Sequence, residues 1–97
     1  MYAVIFKAEI NQLDSHYSEM AAEIRELAIN QYDCTEFNSV TEDKYEISLS
    51  YWQELEQIKK WKQDAKHLVA QNLGMTKWYK SYQVQVVEIL RSYSNHS

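Results

Sequence analysis

His67 and Gln71 are the two residues of this chain best placed to do chemistry together, because four residues apart they share one face of a helix, one turn from each other. That spacing sets a titratable base beside an amide donor. A histidine can take up a proton near neutral pH, and an amide N–H can hold an oxyanion. Trp61, Trp78, Tyr79 and Tyr82 flank the pair and could wall a cavity for a planar ring. Each candidate also has a plainer reading. Trp61 continues the stripe Leu55, Ile58, Trp61, Ala65, Leu68, which suits a core as well as a cavity wall, and a single helical histidine is often a surface or satisfied structural residue.

Other chemistries find little support. His16, His67 and His96 with Cys34 show no metal-ligand spacing. A single glycine, Gly74, cannot build a phosphate cradle or a dinucleotide fingerprint. Cys34 has no nearby histidine or basic cluster, so it reads as a buried or edge-strand thiol. Glu42, Asp43, Glu54 and Glu56 fall in turns and a first helical turn, where solvation and the helix dipole account for them. Lys59, Lys60, Lys62 and Lys66 spread over much of a helix circumference and read as a solvated face whose stems cover apolar surface.

The elements that must position these residues follow from hydrophobic period. Residues 2 to 10 alternate with period two and begin apolar on both faces, which predicts a central strand. Asp14 or Ser15 caps a helix carrying Tyr17, Met20, Ala21, Ile24, Leu27 and Ala28 on one stripe. Cys34 to Val40 and Tyr45 to Tyr51 form a hairpin through the Glu42-Asp43 turn. A second helical region, broken near Asp64-Ala65, closes at Gly74 in the left-handed conformation, and a short irregular segment presents Trp78 and Tyr79. A last strand runs from about Tyr82 to Tyr93, with a phase switch near Val86-Val87 that predicts a bulge. Ser92 to Ser97 reads as a frayed tail. The order β-α-β-β-α-β is the ferredoxin-like pattern: an α+β fold with an antiparallel sheet and helices on one face.

Ninety-seven residues make one domain with a modest core, and 45% apolar with 13% aromatic residues is more than so thin a globule hides easily. A homodimer covering the other sheet face is therefore expected. A net charge of −4 argues against a nucleic-acid partner. No apolar run approaches the ~20 residues of a membrane span. The lone cysteine and the lack of a signal-like N-terminus place the chain in the cytoplasm.

From Ser50 to Val86 the pattern SYW-x-x-L-x-x-I-x-x-W, then H-x-x-A-Q, Gly74, Trp78-Tyr79 and Tyr82 resembles the antibiotic biosynthesis monooxygenase family of dimeric α+β barrels. The resemblance implies a homodimer and a cofactor-free monooxygenase acting with dioxygen on a small aromatic, quinol or polyketide-like substrate. His67 would then be the base, Gln71 the polar anchor, and Trp61, Trp78, Tyr79 and Tyr82 the walls. The family's haem-degrading branch is the alternative. Trp61 matches its tryptophan, but Gln71 stands where its iron-ligating histidine would be, and the first strand offers Lys7, Ala8 and Glu9 in place of its asparagine. A non-catalytic, ligand-binding dimer is the third reading.

Overall fold

The computed structural model describes residues 1–95, with the backbone alone for Ala65 and Lys66. His96 and the end of the expected tail lie outside the described residues. Four strands, β1 (Tyr2–Ile10), β2 (Glu36–Glu42), β3 (Tyr45–Trp52) and β4 (Tyr79–Glu88), form one antiparallel sheet in the order β2-β3-β1-β4. Three helices, α1 (Ser15–Gln31), α2 (Leu55–Gln63) and α3 (Ala65–Leu73), complete the ferredoxin-like α+β fold, and the buried core lies between helices and sheet. Among the described residues no helix is long and apolar enough to cross a membrane.

Asp14 starts α1 as expected. Its backbone is extended and its carboxylate accepts from the Tyr17 amide at 3.0 Å, satisfying a donor that the first turn leaves free. The same carboxylate accepts from the Trp78 indole at 3.2 Å and pairs with Lys77 at 2.8 Å. One residue thus ties the start of α1 to the entrance of β4. Hydrogen bonding from Lys77 holds its pKa below the usual value.

The second helical region breaks at Asp64, as the sequence predicts, and the Tyr32 hydroxyl donates to the Asp64 carboxylate at 2.8 Å across the break. The break also corrects the long stripe drawn from Leu55 to Leu68. Ile58 and Trp61 are buried, whereas Leu55, the first residue of α2, and Leu68, beyond the break, are each about half exposed; for Leu68 the reason is that a kinked axis does not keep one face inward across both pieces.

Three expectations at the C-terminal end are corrected. Gly74 is not left-handed; no glycine has positive φ, and the chain runs on as one π-helical turn, Gly74–Trp78, instead of an irregular segment. The last strand begins at Tyr79 and ends at Glu88, not Tyr82 to Tyr93. The bulge lies not at Val86-Val87 but at the other end of β4. Glu9 pairs with Ser81 and Ile10 with Tyr79, so Lys80 is the extra residue. Three residues apart, Tyr79 and Tyr82 would face opposite ways in a regular strand. The bulge turns both toward the helices.

Candidate functional site

The register fixes which side chains meet the helices. Val4 of β1 stands opposite Ser50 of β3 and Val86 of β4, and Phe6 stands opposite Ser48 and Val84. Val4 and Val84 belong to the core cluster, so this phase is the inner one. In β3 the inner phase is Glu46, Ser48, Ser50 and Trp52, while Tyr45, Ile47, Leu49 and Tyr51 face the side without helices. The polar half of β3 looks inward. Between it and the helices lies a cavity of about 480 Å³, within the range of small-molecule sites.

All six residues singled out in the sequence line this cavity: Trp61, His67, Gln71, Trp78, Tyr79 and Tyr82. Trp61 proves to be core and wall at once. It is 5% exposed, packs 5.1 Å from Trp52 and 6.0 Å from Phe37, and donates its indole N–H to the Ile24 carbonyl at 3.2 Å. Its ring meets that of His67 edge-on, with centroids 4.4 Å apart. Trp78 is buried as well and meets Tyr17 at a right angle with centroids 5.2 Å apart.

His67 is largely buried, and its Nδ1 is enclosed without a hydrogen-bond partner. Burial disfavours the imidazolium, and the positive charge of Lys62 adds to this against a smaller opposing pull from Asp64. Together they lower the pKa to about 4. His67 is therefore neutral at physiological pH and a weaker base than the near-neutral titration expected of it, because burial and Lys62 both disfavour its charged form. Gln71, one turn on in α3, completes the polar group at this end, and Lys62 and Arg25 line the same cavity. Lys62 thus departs from the solvated face expected of the lysines, whereas Lys59 and Lys60 keep to it.

At the other end stands a residue that the sequence reading passed over. Glu46 is 5% exposed, and its Oε2 accepts from the Tyr79 hydroxyl at 2.8 Å. Burial pushes the Glu46 carboxyl up, and burial together with the neighbouring carboxylate raises the Tyr79 phenol. Phe6 lies 5.3 Å from Tyr79 and 5.8 Å from Tyr82 between ring centroids, which closes this end with aromatic faces. The signal was available. An acidic residue in a strand whose other phase is wholly apolar is either solvent-facing or cavity-facing, and burying both faces of the neighbouring β1 makes the second possible.

Cys34 is buried, as expected, with its thiol donating to the carbonyls of Glu36 and Tyr51; burial raises its pKa. Among the described residues no group of three or more His, Cys, Asp or Glu side chains could hold a metal ion.

No protein-family model matches the sequence. The uncharacterized protein YqjZ of Bacillus subtilis is 35% identical over 91 residues, covering 93% of this chain and 80% of YqjZ. Among solved structures, SnoaB, a cofactor-independent oxygenase from Streptomyces nogalater, superposes with a TM-score of 0.80 at 5% identity, covering 97% of both chains. A structure described as an antibiotic biosynthesis monooxygenase superposes with a TM-score of 0.68 at 12% identity, covering 94% of this chain and all of the other. At such identities the structural matches speak for the fold.

Proposed function

This chain belongs to one family with YqjZ of Bacillus subtilis and has the fold of the antibiotic biosynthesis monooxygenases, and from that premise we propose that it is a cofactor-independent monooxygenase of a small aromatic, quinol or polyketide-like substrate. The observation that carries this reading is His67, a neutral imidazole with an enclosed, unpartnered nitrogen, set against Trp61 in an apolar-walled cavity. A buried polar atom without a partner is costly. Nδ1 is closed off in this conformation, so the reading requires a small shift of the ring to open it to a substrate hydroxyl, a partner of the right kind.

In this reading the reacting end of the substrate lies beside Trp61, its aromatic body extends toward Phe6 and Tyr82, and its acidic hydroxyl, or the enol of its ketone, meets His67. The imidazole takes the proton. Gln71 and the charge of Lys62 hold the resulting anion, whose electron-rich carbon reduces dioxygen. One oxygen atom forms the new C–O bond of a hydroperoxide, which loses water to leave a carbonyl, so a methylene and O2 become a ketone and water. A pKa of about 4 makes His67 a weaker base than an ordinary histidine, so in this reading the imidazolium forms only against the substrate anion beside it, whose negative charge offsets the cost of burying the cation.

A homodimer belongs to the same proposal. The side of the sheet without helices presents Ile5, Leu49 and Tyr51 half-buried, with Ile47 38% and Val40 66% exposed, an apolar face of the kind that a second copy covers.

The test is oxygen uptake by the purified protein across quinols and anthrone-like compounds, repeated with His67→Ala. Loss of at least a hundredfold in kcat with an unchanged fold is the expected result. Uptake unaffected by His67→Ala removes His67 from the mechanism, and uptake with no compound tested removes the oxygenase reading.

A further inference from the structure

Glu46 is an unusual residue to bury at the bottom of a cavity. It is 5% exposed on an inner strand, receives one neutral hydrogen bond, from Tyr79, and has no ion pair among the described residues. Its second oxygen, Oε1, has no hydrogen bond there. A carboxylate in such surroundings is costly unless something completes its shell. A leucine would fill the place at less cost.

The surroundings say what could complete it. Phe6, Tyr79 and Tyr82 form a contiguous set of rings beside it, and aromatic faces favour both flat apolar bodies and cations. Ser48, next in the inner phase of β3, is hydrogen-bonded to Ser39 of β2, so its hydroxyl is already engaged. Lys62 and Arg25, the cationic side chains lining the cavity, come from α2 and α1, and Lys62 is the one that acts on His67. The cavity is thus polarised, with positive charge toward His67 and an acceptor at Glu46. The ends are well separated. Trp61, beside His67, packs on Phe37, which pairs with Ser50, and Ser50 lies four residues, roughly 13 Å, from Glu46 along the strand.

We propose that Glu46, oriented by Tyr79, is a second recognition site that takes a hydrogen-bond donor, a hydroxyl or an ammonium group, at the end of an aromatic ligand remote from His67. The inference rests on the oxygenase reading only for which end reacts. The ligand class it names is an elongated aromatic with a donor at its far end, and a ligand capped there by an ether or a methyl group is disfavoured.

Calorimetric titration of the purified protein at pH 7.5 with 2-naphthol, 2-naphthylmethylamine and 2-methoxynaphthalene tests this without any turnover. At least one donor-bearing probe is expected to bind about tenfold more tightly than the methoxy compound, and whichever of the two it is separates hydroxyl from ammonium recognition. The preference should persist in His67→Ala and disappear in Glu46→Leu. Glu46→Gln, whose amide oxygen still accepts from Tyr79, should retain only about a threefold preference, and it carries the test if the leucine variant does not fold. No preference in the native protein, a preference that survives in both Glu46 variants, one lost only in His67→Ala, or no saturable binding of any probe overturns the proposal. A Glu46-dependent preference in a protein that consumes no oxygen upholds it while removing the oxygenase reading.

Discussion

The two ends of the cavity are built on different principles. At the His67 end the wall is also the core: Trp61 packs on Trp52 and Phe37, anchors α2 to α1 through the Ile24 carbonyl, and faces His67. At the Glu46 end the groups that could recognise a ligand lie on the sheet and touch little of the tryptophan core; a strand bulge turns Tyr79 in and its hydroxyl meets the carboxylate. Chemistry and stability are therefore fused at one end and separable at the other. The two titrating groups also pull in opposite directions, His67 lowered and Glu46 raised.

The contrast would be broken most directly at Trp61. Trp61→Ala should cost about 3 to 5 kcal/mol in urea unfolding, a large part of a domain's usual stability. An unchanged midpoint would mean that Trp61 is only a wall. The next effect lies in acid. The unfolded-state pKa of His67 is near 6.5 and its native value about 4, so the unfolded chain binds the extra proton in between. Its contribution is complete above pH 6.5 and lost as pH falls toward 4, at most about 3 kcal/mol in all. His67→Gln should flatten that part of the stability curve, and a curve as steep as the native one would place the acid sensitivity elsewhere. The smallest effect is expected at the other end. Because the native Glu46 carboxyl titrates above its unfolded value, its contribution is present below the unfolded pKa and lost as pH rises through the native one. Replacing both partners together, Glu46→Leu with Tyr79→Phe, should leave unfolding at pH 8 within about 1 kcal/mol of the native protein. A loss of several kcal/mol would make this end structural after all.

The sequence made the element order and most of the cavity lining legible, because period-two and helical stripes survive wherever one face of an element is buried. The Asp14 cap and the Asp64 break came from local chemistry of the same kind. Glu46 was hidden by an inversion of the usual rule. In β3 the apolar phase, Tyr45 to Tyr51, faces away from the helices, and the phase with Glu46, Ser48 and Ser50 faces in. Alternation reveals that a strand has two faces, but not which of them the helices cover. The Lys80 bulge and the π-helical turn were hidden for another reason. Each inserts one residue into a repeating pattern, and a single inserted residue is visible only in the pairing of one segment with another. For Trp61 the choice between core and wall had no answer in the stripe, since the same side chain serves both.

Gly74, the only glycine, has ordinary negative φ, so its backbone does not require it. Space does: a Cβ there would come within 3.0 Å of the Tyr79 ring, tighter than packed atoms normally approach. The two positions therefore share a single allotment of volume. A larger residue at 74 displaces the ring that holds Glu46 in place, and a smaller one at 79 makes room for it. Among related sequences, residues 74 and 79 should drift as a pair, with the bulk lost at one position recovered at the other.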